Sequence, residues 1–272
     1  MGAATKQKIN EIIQHIPLLA RFRAEEFNIL AMPGYTNQNF RLSNNHGDWI
    51  LRIPKDETSR YIDRRAEAIN ASIAQKLGLA PECVWSDESG LSLTRALAQA
   101  RSLTREALKQ EPVQRQLVEL LNRLHASNSA FRGTVDLGAL LTRYYRLMPE
   151  GAQLRLHEAC DSAKEILKDL VQSDDMLVPS HNDLVLENLL LDESGRLWVI
   201  DWEYSSMASP YWDIATLCNA ARLDHKQSLS LLRACEIDSV EYSMEILKDY
   251  RVVLQVLSDC WMAAFTRCAG DK

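Results

Sequence analysis

Two hydrophobic periods divide this chain. Up to about residue 96, apolar residues fall mainly in short runs broken by turn sequences; beyond it they recur at helical spacing almost to the end. Segregated blocks of this kind predict an α+β fold. The spacing of Ile9, Ile12, Ile13, Ile16 and Leu19 predicts an amphipathic helix from Thr5 to about Ala24. Phe27 to Met32, Asn39 to Ser43 and Asp48 to Ile53 then read as strands of an antiparallel meander, separated by Pro33-Gly34-Tyr35-Thr36-Asn37 and Asn44-Asn45-His46-Gly47. After Pro54 a helix is expected from Ser59, with Ile62, Ala66, Ile69, Ile73 and Leu77 on one face and Gly78 as its stop. Cys83 to Ser86 and Leu91 to Arg95 form a second hairpin around Asp87-Glu88-Ser89-Gly90. Helices are expected around 104–127, 136–148 and 153–172, a β element around 188–201, and helices from about 211 onward. The expected division is 1–96 and 97–272.

At 272 residues and 46% hydrophobic, the chain can build a core, and its formal net charge of −6 without a dense basic stretch argues against a nucleic-acid binder. An acidic surface suits a cationic substrate, or solubility alone. Six scattered cysteines (Cys83, Cys160, Cys218, Cys235, Cys260 and Cys268) show no Cys-x-x-Cys pair and read as reduced thiols. No basic-then-apolar signal and no run of eighteen apolar residues is present, so a cytoplasmic protein with no membrane span is expected.

The helical half is interrupted between Pro179 and Pro210 by its densest polar stretch, Ser180-His181-Asn182-Asp183-Leu184-Val185-Leu186-Glu187-Asn188 and, after the Glu193-Ser194-Gly195 turn, Val199-Ile200-Asp201-Trp202-Glu203-Tyr204. Folding back at that turn places Asn188 beside Asp201. Mg²⁺ takes oxygen ligands and commonly only one or two carboxylates from a protein, so Asn188 and Asp201 fit as its metal ligands. Asp183, five residues before Asn188, is then free to orient a hydroxyl and accept its proton during attack on a γ-phosphoryl group.

His-x-Asp-x-x-x-x-Asn followed at this distance by Ile-Asp-Trp-Glu resembles the aminoglycoside phosphotransferase and choline kinase family of kinase-like enzymes. The stretch Leu51-Arg52-Ile53-Pro54, Tyr61-Ile62-Asp63-Arg64, Glu67, Asn70 and Leu79-Ala80-Pro81-Glu82 is similar to its bacterial choline kinase branch. The resemblance covers about residues 27 to 220. It implies a two-lobed protein-kinase-like fold, with a small antiparallel-sheet N-lobe carrying one main helix and a larger, mainly helical C-lobe. It further implies that Asp183 is the catalytic base, that Asn188 and Asp201 bind Mg²⁺, and that ATP has its adenine near Leu93 to Leu97.

By the same resemblance, Gly34, Thr36, Asn37 and Asn39 form the turn over the nucleotide phosphates. Arg52 replaces the usual phosphate-binding lysine, Glu67 is its helix partner, and Arg95 joins the nucleotide-binding set. An arginine fork is a different clamp from an ammonium. His181-Asn182-Asp183 and Asp201-Trp202-Glu203 depart from the protein-kinase forms His-Arg-Asp and Asp-Phe-Gly, which argues against a protein substrate.

A quaternary ammonium has no N–H to donate and is recognised by aromatic faces and carboxylates. Trp202, Glu203, Tyr204, Tyr211, Trp212, Asp213 and the later Trp261 supply both types; Glu203, Tyr204, Trp202 and Trp261 are the candidate acceptor contacts, with Asp183. Trp202 and Trp212 also fit plain core positions. Asp213 is expected to brace the catalytic loop, His181 to shape it, and His125 to be a buried helix-end residue. Choline leads among acceptors, ahead of ethanolamine and thiamine and then an aminoglycoside. A nucleotide-binding pseudokinase and a transition-metal hydrolase at His181, Asp183 and Asp201 are the readings from other classes, and the oligomeric state stays open.

Overall fold

The computed structural model describes residues 2–34, 36–55, 61–173, 176–235 and 244–265. By packing, the chain divides into two compact units, Met1–Ala100 and Arg101–Lys272. The first is built on an antiparallel sheet and the second is mainly helical, so the molecule is α+β.

In the first unit, β1 (Asn28–Met32), β2 (Asn37–Asn44), β3 (Gly47–Pro54), β4 (Cys83–Ser86) and β5 (Ser92–Arg95) form one sheet in the order β1-β2-β3-β5-β4. Register sets its two faces apart. Phe40 pairs with Leu51, Leu42 with Trp49, and Leu51 with Leu93, so alternation collects Phe40, Leu42, Trp49, Leu51, Ile53 and Leu93 on one side. Helix α1 (Ala3–His15) covers that side with Ile9, Ile13 and Ile16, joined by Leu19, Phe22 and Phe27. Each such side chain, fully buried, contributes roughly 1.5–3 kcal/mol. The opposite side carries Asn39 paired with Arg52, and Arg52 paired with Ser92.

Helix α1 stops at His15, short of the expected Ala24. Pro17 excludes the helical conformation at the residue before it, and Ile16 is extended (φ −94°, ψ 110°). Helix α2 (Arg64–Lys76) begins at Asp63, whose carboxylate accepts from Ala66 N at 2.9 Å. The expected start at Ser59 lies outside the described residues, as does Tyr35. Of the expected apolar face of α2, Ile62 and Ala66 are buried, Ile73 and Leu77 half-buried and Ile69 exposed, and the helix also buries the polar Arg64, Glu67 and Asn70.

The second unit holds α3 (Arg105–Leu108), α4 (Glu111–His125), α5 (Leu137–Leu147), α6 (Glu150–Ser173), α7 (Pro210–Ala221), α8 (His225–Ala234) and α9 (Met244–Phe265). The helix expected at 104–127 is two, because Gln110 is extended and Pro112 starts a new first turn. Helix α9 packs on α7, α6 and α5. Between α6 and α7 run β7 (Val178–Ser180), β8 (Leu189–Leu191), β9 (Leu197–Val199) and β10 (Ser206–Ala208); β7 pairs with β10, and β9 with β8, which also takes the short β6 (Arg101–Ser102). Leu121, Leu124, Leu141, Leu184 and Leu189 are fully buried around them. Cys160, Cys218, Cys235 and Cys260 are buried free thiols and Cys83 is exposed; Cys268 lies outside the described residues.

Candidate active site

The stretch 178–208 folds as one hairpin inside another. Strand β7 delivers the chain into the loop His181–Val185, a 3₁₀ turn at Leu186–Asn188 leads to β8, and β9 returns through Ile200–Ser205 to β10. The tip closes because Asp192 Oδ1 accepts from Ser194 N and Arg196 N at 2.9 and 3.0 Å, while Gly195 takes φ +78°. Leu189 pairs with Val199, and Ile200 N donates to Asn188 O at 3.0 Å. Asn188 and Asp201 are thereby brought to the same open end, as their spacing predicts.

Buried hydrogen bonds fix the backbone of this end. Asp213, in the first turn of α7, is fully buried; its Oδ1 accepts from Asn182 N (2.7 Å) and its Oδ2 from His181 N (3.0 Å) and His125 Nε2 (2.9 Å). Burial alone would raise this carboxyl, but the hydrogen bond and charge of His125, followed by His181, outweigh it and hold it below the ordinary carboxylate value. Asp213 thus braces the loop, and His125 is the buried end of α4. Asn182, left-handed at φ +64°, donates from Nδ2 to Tyr204 O (2.9 Å) and Ser206 Oγ (2.8 Å), tying the loop to the returning strand.

The His181 ring is neutral by construction. Its Nε2–H donates to Ile200 O at 2.9 Å and its Nδ1 accepts from Asp183 N at 3.2 Å, so a second ring proton would break the latter bond. Burial pushes its pKa below the usual histidine value.

Asp183 is partly buried, and Asn188 Nδ2 donates to both its main-chain O and its Oδ2 at 2.9 Å. Burial first, then the charges of Asp201 and Glu203, push the Asp183 carboxyl well above its ordinary range against the pull of Asn188. Three carboxylates therefore crowd one end of the hairpin. Asp201 adopts φ +65°, a left-handed conformation costing a non-glycine residue roughly 1–2 kcal/mol. The donors on offer, carboxylates and the Asn188 amide oxygen turned away from Asp183, are all hard oxygens, which fit Mg²⁺ and not a thiophilic metal.

An aromatic group faces the same carboxylates. Trp261 Nε1, on α9, donates to Tyr204 Oη at 3.1 Å, and Tyr144 lies beside Tyr204. Phe265 meets Tyr144 edge-on at 5.8 Å and lies 5.6 Å from Trp261. Burial, reinforced by Glu203, raises the Tyr204 phenol. Burial also raises Tyr144 to about 12, with Arg143 opposing and Asp183 and Glu203 adding. Both phenols thus lie within the field of the acids.

Trp202 takes the core position that its sequence also allowed. Its ring is 4% exposed, packs edge-on against His181 (4.7 Å) and Phe131 (6.0 Å), and donates Nε1–H to Val199 O, so it is core beneath the loop. Tyr211 stacks on Tyr250, and Trp212 is buried. Tyr144 and Phe265 join the aromatic group and were not singled out in the sequence, where they read as stripe residues of helices.

In the first unit, Arg52 Nη1 is bonded to Glu67 Oε1 and Arg52 Nη2 to Gly90 O at 3.3 Å. Gly34, Thr36, Asn37 and Asn39 lie together at the β1–β2 turn. A Cβ on Gly34 would fall 2.5 Å from Asn37 O, so the turn closes only on glycine. Asn37 Nδ2 donates to Thr36 Oγ1 (3.0 Å) and Asn39 Nδ2 to Pro33 O (3.2 Å), contacts that shape the turn. Arg95 pairs with Trp49, on the face opposite Arg52, and makes a surface ion pair with Glu82 at 2.8 Å.

The model of a phosphotransferase enzyme family (APH) matches residues 30–240. Protein LicA of Haemophilus influenzae is 35% identical over 208 residues, covering 73% of this chain and 60% of that protein, so the chain spans about 60% of the length of this curated relative. Among solved structures, choline kinase LicA from Streptococcus pneumoniae superposes with a TM-score of 0.86 at 23% identity, covering 99% of this chain and 94% of that one. A choline/ethanolamine kinase family protein from Mesorhizobium loti gives a TM-score of 0.75 at 28% identity over 94% of this chain and 84% of that one. The first of these likenesses establishes the kinase-like fold. No helix among the described residues is long and apolar enough to cross a membrane.

Proposed function

Because this chain belongs to the phosphotransferase enzyme family, we propose that it transfers the γ-phosphoryl group of ATP to the hydroxyl of a small cationic alcohol, choline first. The observation that carries this reading is the meeting, within the second unit, of Asp183, Asp201 and Glu203 with the aromatic residues Tyr144, Tyr204 and Trp261. Like charges crowded in a partly buried place call for cations, and an aromatic group bounded by acids suits an ammonium carrying methyl groups. Two structural relatives, a choline kinase and a choline/ethanolamine kinase family protein, agree in kind.

In this reading the first unit holds the nucleotide phosphates through Arg52, held by Glu67, and covers them with the turn of Gly34, Thr36, Asn37 and Asn39. The second unit carries the chemistry. Asn188 and Asp201 would hold Mg²⁺, which when bound neutralises and orients phosphate oxygens. Glu203, Tyr204, Tyr144 and Trp261 orient the cationic head of the acceptor so that its hydroxyl points to Asp183. Asp183 accepts the hydroxyl proton as the new O–P bond forms and the bond to the β-phosphate oxygen breaks, releasing ADP. Asn188 aims the Asp183 carboxylate, and Asp213 fixes the loop that carries it.

The test is ADP release from Mg·ATP in the presence of choline, ethanolamine, thiamine, an aminoglycoside and a simple sugar. Turnover with one cationic alcohol, absent in Asp183→Asn, supports the reading and names the acceptor. Nucleotide binding without turnover on any of them would favour a pseudokinase and remove the acceptor assignment.

A further inference from the structure

Helix α2 buries the polar Arg64, Glu67 and Asn70 beside Ala66 and Ala74, and Arg64 lies at its start, 8% exposed. Buried arginines are tolerated when their fork is engaged, and this one is engaged on two sides. Its Nη1 donates to Glu67 Oε2 at 2.8 Å and its Nη2 to Asn37 Oδ1 at 3.2 Å. The other oxygen of Glu67 is bonded to Arg52, and Asn37 continues to Thr36 Oγ1. One guanidinium therefore bridges the partner of the strand arginine and the β1–β2 turn.

Gly90 completes the seat. At φ +89° it presents no Cβ, and one built there would fall 2.6 Å from Cδ and 2.8 Å from Nε of Arg64; its carbonyl also accepts from Arg52 Nη2. The second hairpin thus touches both arginines.

We propose that Arg64 is a positioning residue that locks Glu67, and through it Arg52, to the turn at residues 34–37, so that the two halves of the phosphate site keep one geometry. The inference rests on the proposed nucleotide role of the first unit. Arg64 contacts no substrate in it; it acts on Arg52 through Glu67 and on the turn through Asn37. A lysine at 64 would keep the charge and one bond, but a single ammonium lacks the fork that spans Glu67 and Asn37 together.

The experiment measures the affinity for a non-hydrolysable Mg·ATP analogue by calorimetry, and KM for ATP and acceptor by ADP release, in the parent, Arg64→Gln and Arg64→Lys. Arg64→Gln is expected to weaken nucleotide affinity about tenfold and Arg64→Lys about threefold, with acceptor KM within twofold of the parent. In Arg64→Ala, added ethylguanidinium should recover part of the nucleotide affinity while the same ionic strength of sodium chloride does not. Unchanged nucleotide affinity in Arg64→Lys, or equal changes in both KM values with a lowered melting temperature and no rescue, overturns the inference and leaves Arg64 a fold brace. If Arg64→Gln does not fold, Arg64→Lys decides. A parent that binds nucleotide and phosphorylates no alcohol would refute the acceptor reading while the calorimetric comparison still judges Arg64.

Discussion

Asp183 and Tyr204 separate two effects that a single kinetic constant would blur. Asp183 is the carboxylate whose neighbours, Asp201 and Glu203, make its charge costly until cations arrive. Removing its basicity while keeping its shape in Asp183→Asn should lower kcat by roughly 10²–10⁴, the usual worth of a positioned general base, and leave Mg·ATP affinity within about twofold of the parent. Stopped-assay turnover with calorimetric nucleotide binding checks this, and a variant as active as the parent removes Asp183 from the chemistry. Tyr204 contributes a ring face and a hydroxyl held by Trp261. A cation over an aromatic ring is worth roughly 0.5–2 kcal/mol, so Tyr204→Ala should raise acceptor KM about 3- to 30-fold with KM for ATP little changed. The opposite split would move the acceptor away from Tyr204.

At the scale of elements, α1 tests how the sheet of the first unit is held. Ile13 is wholly buried against the face carrying Leu42, Trp49 and Leu51. Ile13→Ala should cost about 2–5 kcal/mol by deleting buried methyl groups and leaving a cavity. Denaturant unfolding measures it, and a loss below about 1 kcal/mol would mean that α1 is not part of this core. How far each element was legible follows from how local its cause is. The hairpin of β8 and β9 was legible because Asp192 and Gly195 set a tight turn between two apolar runs, and that turn alone brings Asn188 to Asp201. The ribbon of β7 and β10 was not, because Val178-Pro179-Ser180 lacks a strand pattern and its pairing spans a long loop. Helix α1 was overrun past Pro17, whose effect on Ile16 is local and readable. In helix α2 the helical spacing marks Ile62 and Ala66, which are buried, but also Ile69, which is exposed, while hydrogen bonds to Arg52 and Asn37 turn Glu67 and Arg64 inward, which apolar spacing does not reveal. Tyr144 entered the aromatic group only through the packing of α5 with α9, which no single segment encodes.

For the molecule as a whole, the buried groups of the catalytic loop set how stability responds to acid. His181 has its pKa lowered in the fold, by burial first, so between that folded value and about 6.5 the unfolded chain binds the additional proton. Its contribution is present above about pH 6.5 and is lost as pH falls from there toward the folded value. Asp213, also lowered in the fold, contributes stability above the ordinary carboxylate range that disappears as pH falls through its folded pKa, further into acid. Asp183 has the reverse sign. Its raised pKa means the folded chain binds the proton first, so lowering the pH through that value stabilises the metal-free protein, opposite in sign to the histidine. As the pH falls below 7, the melting temperature without Mg²⁺ should therefore fall more steeply in Asp183→Asn, where the opposing carboxyl is gone, than in the parent. His181→Gln, whose amide can donate to Ile200 O as the ring does, should flatten the upper part of that descent. Thermal melts of the three proteins across this range decide the matter: parallel curves would mean that neither His181 nor Asp183 couples to folding, and a steeper parent than Asp183→Asn would reverse the sign assigned to the carboxyl.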